Sequence, residues 1–298
     1  MAQLSASDEP QVLARASEQS NLDVQTVRGF GEEWSTFPQT ELSEDERRRM
    51  FEGYFSIFPF DSLPAGAEGF DLGCGSGRWA ELMLEKVGLL HCIDPSEKAL
   101  DVTRRRLSGA PNARFHLAGV DDMPIDDSSQ DFGYSLGVLH HIPDTQAAMA
   151  RCVAKLKPGA PFLVYLYYSL DNRPFWFRSV WRASDRLRRV ISRFPFAPRK
   201  AVTGAIAALV YWPLARSARL AEISGLNPSS IPLSAYRNSS FYTMRTDALD
   251  RFGTRLEHRF SRKEIAAMME RCGLTDIRFS DNIPFWVACG RRARAPQA

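Results

Sequence analysis

The stretch FDLGCGSGRW, at positions 70–79, decides the fold class of this 298-residue chain. It follows a short apolar run and precedes a helical pattern, so it stands where a strand turns into a helix. Gly73, Gly75 and Gly77 permit positive φ angles and let the backbone approach a ligand closely, beside a helix N-terminus that favours negative groups. Because Arg78 ends the run, the spacing is GxGxG and not GxGxxG, and because no Lys-Ser/Thr pair follows, a P-loop is excluded. The stretch predicts a site for a nucleotide-type ligand at the end of the first strand.

Five short apolar runs, each the length of a buried strand, recur along the chain with helical patterns between them. They occupy residues 69–72, 89–93, 113–117, 132–136 and 162–168. The alternation of apolar runs and helical patterns then stops. It resumes at a capping box, Ser261-Arg262-Lys263-Glu264. Two further short runs, 276–280 and 285–290, are close enough to pair as a hairpin. We therefore expect an α/β fold with a parallel sheet covered on both faces and a last strand that runs antiparallel.

Asp94 directly follows the second apolar run, seventeen residues beyond Gly77. A carboxylate at this place can accept two hydrogen bonds from the vicinal hydroxyls of a ribose. The alternative is that Asp94 caps the helix that begins near Ser96.

Five motifs in this order make the chain resemble the class I S-adenosylmethionine-dependent methyltransferases of the small-molecule type. The matching residues lie at 71–77, 92–96, 121–124, 131–132 and 137–144. The resemblance covers about residues 68–170 and implies a Rossmann-like, seven-stranded, mostly parallel sheet whose last strand is antiparallel. It also implies S-adenosyl-L-methionine as the cofactor.

By the same resemblance, the glycine loop would hold the methionine portion of the cofactor. Asp71 and the backbone of Gly73 and Gly75 would make the contacts, with Cys74 and Gly77 in the same loop. These roles are expectations that come from the family and not from the spacing.

The remaining cofactor contacts that the resemblance implies come from the next three strand ends. Asp94 would take the ribose hydroxyls, Pro95 and Ser96 would flank the adenine, and Leu136 and Gly137 would line the wall near the sulfonium.

The adenine edge is where this chain departs from the family pattern. Val120 and Asp121 would meet the adenine, but Gly119 stands where many members carry an acid. Recognition of the adenine must therefore depend on Asp121 or on backbone groups. Asp122 is an alternative partner, or a solvated turn residue.

Two adjacent histidines, His140 and His141, follow the fourth strand at the edge of the sheet where ligands bind in such folds. An alcohol acceptor gains from losing its proton as it attacks a methyl group, and histidine can accept a proton near neutral pH. We expect transfer to oxygen with His141 as the general base and His140 as the second candidate. The alternative is that His141 orients its loop or caps the following helix together with Asp144.

Two other stretches carry polar or aromatic residues that could serve the same pocket. Trp34 could cover the cofactor, or could be ordinary core packing. Residues 242–252 alternate charges and aromatics without a clean period, which suits a loop lining a polar pocket or a surface network of ion pairs. Tyr167 and Tyr168, with residues 171–173, follow the fifth strand and are further candidates.

The formal net charge is +3, but it is unevenly spread. Residues 173–220 hold ten arginines and one lysine against the single acid Asp185, a net charge of +10 that leaves −7 for the rest. Aromatic residues interleave with these bases, and Pro195, Pro198 and Pro213 are expected to break the stretch into short helices. It could be a helical cap over the acceptor site, a surface that contacts an anionic membrane, or a nucleic-acid site. Nucleic acid is disfavoured because the Asn/Asp-Pro-Pro-Tyr pattern of amino-methylating members is absent after the fourth strand.

The composition excludes a wholly disordered chain, a collagen and a disulfide scaffold. The chain is 44% hydrophobic and 24% charged, which is ordinary for a globular protein. Its five cysteines form no CxxC pair, so free thiols are expected, and no histidine or cysteine spacing suggests a metal site. The polar N-terminus does not resemble a signal peptide, and the most apolar window, 201–215, is shorter than a bilayer span. We expect a cytoplasmic protein, with peripheral membrane contact through residues 173–220 as an open alternative.

These patterns divide the chain into four parts. Residues 1–67 form an N-terminal segment, 68–172 the cofactor-binding core, 173–260 a helical lid insertion over the acceptor, and 261–298 a core helix with the strand hairpin. The expected activity is methylation of a small-molecule or glycoconjugate acceptor. The alternatives are a lipid-linked acceptor at the membrane surface, a non-catalytic cofactor-binding protein, and a dinucleotide oxidoreductase.

Overall fold

The computed structural model describes residues 21–294, and a seven-stranded sheet lies at the centre of the protein. The strands are β1 (Glu68–Leu72), β2 (Leu89–Asp94), β3 (Ala113–Leu117), β4 (Phe132–Leu136), β5 (Pro161–Tyr165), β6 (Leu274–Phe279) and β7 (Val287–Arg292). Their order across the sheet is β3-β2-β1-β4-β5-β7-β6. The first five are parallel, and β7 runs antiparallel to both of its neighbours. The predicted Rossmann-like fold with an antiparallel last strand is confirmed.

The strand limits differ from the prediction at the C-terminal half of the sheet. β5 ends at Tyr165 and not at Tyr168, because the chain then leaves the sheet and Tyr168 forms only an isolated bridge with Phe260. The hairpin forms as predicted, but β6 begins two residues early, since Gly273 ends the preceding helix with a φ of +82° and Leu274 is buried at once.

Helices cover both faces of the sheet. They are α1 (Val24–Thr36), α2 (Glu44–Phe55), α3 (Arg78–Met83), α4 (Glu97–Arg106), α5 (Thr145–Lys155) and α10 (Arg262–Arg271). The predicted caps are present: the Asp144 carboxylate accepts a hydrogen bond from the Ala147 amide at the start of α5, and Ser261 and Glu264 form the capping box of α10.

Large side chains on the central strands fill the space on both faces. Phe70 on β1 and Phe132 on β4 are fully buried in the hydrophobic clusters on opposite faces. Each stands opposite a glycine of the neighbouring strand, Phe70 opposite Gly133 and Phe132 opposite Gly69. A Cβ atom on Gly133 would lie 2.3 Å from the Phe70 ring, so these glycines make room for the aromatic rings. This packing holds the ends of β1 and β4 in a fixed relation beside the glycine loop.

Residues 175–253, which follow β5 and precede α10 in the chain, form a layer of helices that we call the helical layer. It contains α6 (Phe175–Ile191), α7 (Phe196–Ile206), a π-helical turn (Ala207–Tyr211), α8 (Trp212–Ile223) and α9 (Phe241–Gly253). The layer has its own small core, in which Ile191, Tyr211, Met244 and Phe252 pack together. Through this core α6, α7 and the π-helical turn all rest on α9.

Two expectations for this layer are wrong. Residues 242–252 are not a loop but most of α9, with Ser240 as its N-cap. Pro213 does not separate two helices, because the π-helical turn directly before it accommodates the missing N–H and the chain continues from α7 into α8. Pro195 does mark a helix start, as the N-cap of α7.

Candidate active site

The glycine loop has the backbone that its sequence predicts. Gly73, Gly75 and Gly77 have φ angles of +78°, +58° and +72°. A Cβ atom would lie 2.3 Å from Val138 Cγ2 at Gly73 and 2.9 Å from Trp34 Nε1 at Gly75. The loop therefore requires glycine both for its conformation and for the close approach of its neighbours.

Asp94 closes the loop from the end of β2. Its Oδ2 accepts a hydrogen bond from the Gly75 amide at 3.0 Å, and its Oδ1 accepts one from the Ser96 amide at 2.9 Å. The alternative role of Asp94 as a helix cap is wrong, because Ser96 caps α4 by accepting from the Ala99 amide. Burial raises the pKa of Asp94 to about 6 in spite of these backbone bonds. Each carboxylate oxygen keeps a lone pair for a further donor such as a hydroxyl group.

Asp71, at the end of β1, is the most deeply buried acid of the loop region, with 2% of its surface exposed. Burial raises its pKa to about 8, and the neighbouring Asp94 contributes in the same direction. Among residues 21–294, no hydrogen-bond partner faces Asp71 Oδ2. An unpartnered buried carboxylate oxygen fits the ammonium group of the methionine portion, which would supply the missing partner.

The other loop residues have simpler surroundings. Cys74 is buried, and its Sγ lies 3.6 Å from the Thr103 hydroxyl. The Gly77 amide donates to the Cys74 carbonyl and so closes the turn into α3.

The residues expected at the adenine edge have separate environments. Val120 is buried in a hydrophobic cluster, and Asp121 Oδ2 accepts a hydrogen bond from the Asn21 amide at 2.7 Å. Asp122 Oδ1 accepts one from the Gly119 amide at 2.7 Å, so Asp122 closes the turn after β3. Its alternative role as a turn residue fits this contact.

Helix α1 covers the loop. The Trp34 indole lies against Gly75, and a Cβ atom on Gly31 would meet the Ser96 hydroxyl at 2.4 Å. The guanidinium of Arg78 lies between the two indoles, 4.3 Å from the centre of the Trp79 ring and 5.7 Å from that of Trp34. The expectation that Trp34 folds over the loop agrees with this arrangement.

A cavity of about 770 Å³ separates this region from the helical layer. Leu136, the last residue of β4, and the following Gly137 line it together with Trp34 and Arg78. Side chains of α2, α6, α8 and α9 form the other walls. A cavity of this size can hold a small organic molecule.

The inner half of the cavity is polar. Glu33 is only 4% exposed, and no hydrogen-bond partner within residues 21–294 faces its Oε1. Burial, with Asp250 and Asp247 nearby, raises the pKa of Glu33 well above its usual range, and burial raises that of Asp247 to about 6. The Tyr167 hydroxyl donates a hydrogen bond to Asp250. Glu33 was missed in the sequence, where only Trp34 of that stretch carried a signal, whereas Asp247 and Asp250 lie in the stretch expected to line a polar pocket.

The two histidines lie behind the cavity wall. Nδ1 of His141 is 2.7 Å from the Leu256 carbonyl, which makes Nδ1 the protonated nitrogen and leaves Nε2 as the basic one. Within the described residues Nε2 has no partner, and burial lowers the pKa of His141. His140 is fully buried and stacks on Tyr167 with 3.9 Å between ring centres. Tyr167 lines the cavity and contacts both imidazoles.

The residues after β5 have mixed roles. Tyr168 and Arg173 line the cavity. Asp171 instead accepts hydrogen bonds from Trp286 Nε1 and the Arg262 amide, so it ties the strand hairpin and α10 to the end of β5.

Within residues 21–294, no helix combines the length and the apolar character needed to cross a bilayer. In the same residues, no group of three or more His, Cys, Asp or Glu side chains is arranged to hold a metal ion.

Comparisons with known proteins agree with this geometry. Residues 70–164 match a family model described as a methyltransferase domain. The trans-aconitate 2-methyltransferase of Variovorax paradoxus is 33% identical over 132 residues, which are 44% of this chain and 48% of that protein. The ubiquinone biosynthesis O-methyltransferase of Thiobacillus denitrificans is 32% identical over 111 residues, 37% of this chain and 46% of that protein. The chain thus spans about half the length of these relatives.

Among solved structures, a possible exported protein of Bordetella parapertussis superposes with a TM-score of 0.50 at 17% identity. The match covers 97% of this chain and 95% of that one. It supports the fold alone.

Proposed function

We propose that this chain, whose residues 70–164 match a methyltransferase domain, is a class I S-adenosylmethionine-dependent methyltransferase that methylates a small-molecule or glycoconjugate acceptor held in the cavity. One observation carries the proposal: Leu136 and Gly137 line the cavity, and the next residue, Val138, lies against Gly73, so this end of the cavity adjoins the glycine loop and its Trp34 cover. A ligand of the loop and an acceptor in the cavity would therefore meet at this end.

The residues of the loop fit the cofactor. S-adenosylmethionine supplies an electrophilic methyl group on a positively charged sulfur. Asp71 would hold the ammonium group of its methionine portion, and Asp94 would accept hydrogen bonds from its ribose hydroxyls. Trp34 and Arg78 would shield this end of the cavity from water, while the remaining walls align the acceptor.

We expect transfer to an oxygen atom, with the proton of the acceptor hydroxyl taken at Nε2 of His141. The bond from Nδ1 to Leu256 orients the ring, and the lowered pKa keeps it neutral near pH 7, as a base requires. Because Tyr167 stands on the wall in front of the ring, it must turn aside for direct contact. Asp250, which accepts the hydrogen bond from Tyr167, is the alternative base on the cavity wall.

A methyl-transfer assay on cell-extract fractions tests the proposal. The full chain is incubated with S-adenosylmethionine that carries a deuterated methyl group, and products with a single labelled methyl are sought by mass spectrometry. We expect such a product in at least one small-molecule fraction, with one equivalent of S-adenosylhomocysteine. Cofactor binding without any acceptor-dependent S-adenosylhomocysteine would instead support the non-catalytic alternative.

The cofactor site is tested separately by Asp94→Ala. Loss of a carboxylate that accepts two ligand hydroxyls should weaken S-adenosylhomocysteine binding at least tenfold in calorimetry, since each hydrogen bond to a charged group contributes about 1.5 to 3 kcal/mol. Asp126→Ala, at an exposed acid before β4, is the matched control and should bind as the parent does. Equal affinities for parent and Asp94→Ala would exclude this placement of the ribose.

The base is tested by His141→Gln beside Asp250→Asn, with the acceptor found above. If His141 takes the proton, His141→Gln should lower kcat at least 100-fold, in the range of general-base catalysis, and leave S-adenosylhomocysteine binding unchanged. Asp250→Asn should lower kcat less than tenfold. The reverse ranking would assign the base to Asp250.

A lipid-linked acceptor is the second candidate. The observation that favours it is the apolar character of the outer half of the cavity, where Val180, Leu187, Ile206, Val210 and Leu214 line the wall.

A dinucleotide oxidoreductase is opposed by the short GxGxG loop.

A further inference from the structure

The exposed apolar side chains of this protein are concentrated in one region. Of the fifteen exposed large hydrophobic residues within residues 21–294, thirteen lie between positions 175 and 241. Phe175, Leu209 and Ile223 are among the most open, with 75%, 77% and 72% of their surfaces exposed. Only Leu117 and Ile283 lie elsewhere. An apolar surface this extensive marks a site of interaction.

The mouth of the cavity opens within this surface. A residue that both lines the cavity and is exposed must lie at the mouth, and four large apolar residues do both: Val180, Leu187, Val210 and Ile283. The other exposed lining residues are Arg49, Ala235 and Asn238, so the mouth carries no exposed carboxylate. The path from solvent to the polar inner half is therefore apolar.

The helices that carry the apolar surface also carry exposed bases. The exposed ones on α6 to α8 are Arg182, Arg186, Arg189, Arg193, Lys200 and Arg219. Of the two acids between residues 173 and 241, Asp185 is buried against Arg188, and Glu222 is paired with Arg237 at 2.9 Å. An exposed apolar surface with bases on the same helices complements an anionic lipid surface, whereas two copies of it would repel each other.

We propose that α6 and α8 dock on an anionic lipid bilayer, with the mouth of the cavity turned toward the lipid. The acceptor would then be an amphiphile, whose polar group reaches Gly137 while its apolar chain lies along Val180, Leu187 and Val210. The choice of acceptor rests on the proposed function, whereas the docking does not.

Vesicle binding by the full chain, without cofactor, tests the docking. With vesicles of phosphatidylcholine containing about 30% phosphatidylglycerol, we expect binding at least tenfold tighter than with phosphatidylcholine alone. Leu187→Glu with Val210→Glu should weaken binding at least tenfold, while Leu117→Glu, at the exposed apolar residue outside the surface, should not. A parent protein that stays unbound, or an equal loss in Leu117→Glu, would overturn the proposal.

Charge is tested by a pair of matched variants. Arg182→Gln with Arg186→Gln should weaken vesicle binding several-fold, and Arg105→Gln with Arg114→Gln removes the same charge from the sheet domain and should not. If the α6 pair abolishes binding to the polyanion heparin and the Leu187/Val210 pair leaves vesicle binding intact, the surface is a polyelectrolyte site and the membrane proposal fails. Retained binding of S-adenosylhomocysteine verifies the fold of every variant.

The orientation of the protein on the bilayer and the chemical class of the acceptor are tested by two further measurements. Lipids with brominated acyl chains should quench Trp176 and Trp212, which are each 40% exposed on this surface, and Trp176→Phe with Trp212→Phe should lose most of the quenching. Unchanged quenching would place another face on the bilayer. Labelled methyl transfer to a lipid extract within bound vesicles supports the amphiphilic acceptor, and transfer only to water-soluble compounds overturns it. Vesicle binding without any methyl transfer would leave the docking standing and would count against the proposed function itself.

Discussion

Asp71 and Asp94 stand at the ends of two neighbouring strands, and their surroundings give them different acidities. Burial raises the pKa of both carboxyl groups, but the two backbone hydrogen bonds that Asp94 accepts limit its pKa to about 6, whereas that of Asp71, which has an unpartnered oxygen, reaches about 8. Near pH 7 the cofactor-free protein therefore keeps a proton on most Asp71 side chains and on few Asp94 side chains.

This difference makes ligand binding depend on pH. An ammonium group beside Asp71 favours the carboxylate, so binding should release the proton and become tighter as the pH rises toward 8. Between about pH 6 and pH 7.5 we expect the affinity for S-adenosylhomocysteine to rise roughly twentyfold, because with a pKa of about 8 the ionised fraction of Asp71 grows from about 1% to about 24%. Calorimetry in two buffers of different ionisation enthalpy measures both the affinity and the released proton.

Asp71→Asn is the variant that isolates this group. It should bind more weakly at pH 7.5 and lose most of the pH dependence, while Asp126→Asn, at an exposed acid, should keep it. A parent whose affinity does not change over this range would contradict the role of Asp71.

The local sequence pattern does not identify helix α9, because tertiary contacts enclose it. Its sequence has no amphipathic period because it is enclosed on several sides: Met244 and Phe252 pack in the helical layer, Leu249 packs beside Phe37, and Asp247 faces the cavity. With little of its surface left to solvent, the pattern that identifies a surface helix is absent. The strands, by contrast, are short apolar runs that can be identified locally, and the sequence predicts all seven to within three residues of their limits.

Helix α1 packs on the glycine loop, and two glycines of this helix should respond differently to substitution. Gly29 and Gly31 lie in the same helix, but a Cβ atom has open space at Gly29 and would lie 2.4 Å from the Ser96 hydroxyl at Gly31. Gly29→Ala should stabilise the protein by up to about 1 kcal/mol, because alanine favours helix. Gly31→Ala should lose this gain and destabilise by about 1 to 2 kcal/mol, because it displaces α1 and the Ser96 cap.

Urea unfolding and S-adenosylhomocysteine titration measure the two effects. Weaker binding in Gly31→Ala, with parent-like binding in Gly29→Ala, is the expected result. Equal stabilities and affinities for the two variants would mean that α1 does not close on the loop as described.

For the whole molecule, the uneven charge has a structural counterpart. The +10 segment coincides with most of the helical layer, and the −7 remainder includes the sheet. Within the layer, Arg188 ties α6 to the C-terminal end of α9, because its guanidinium bonds to Asp185 on the same helix and to the Thr254 carbonyl.

Breaking this tie between α6 and α9 should destabilise the layer. Asp185→Asn leaves the buried Arg188 guanidinium without its carboxylate, so we expect a loss on the order of 2 kcal/mol in the free energy of unfolding. Glu222→Gln, which breaks the more exposed pair with Arg237, should cost less than about 1 kcal/mol. Thermal unfolding measures the loss of stability in each variant. In Asp185→Asn, hydrogen exchange should show the loss of amide protection first in α6 and α9. Equal losses of stability in the two variants would contradict this role of Asp185.

The sequence by itself determined the sheet, the glycine loop and the acids Asp71 and Asp94, because each depends on residues that are contiguous or stand at strand ends. Only the tertiary structure decided the cavity. Glu33, Tyr167 and Asp247 come from three distant segments, and no local pattern encodes their meeting. The same holds for the histidines: their position after β4 predicted an edge of the sheet, but the packing of Tyr167 decided that they lie behind the wall. The distribution of charge predicted that the 173–220 segment is distinct, and folding decided that its apolar residues surround the mouth of the cavity.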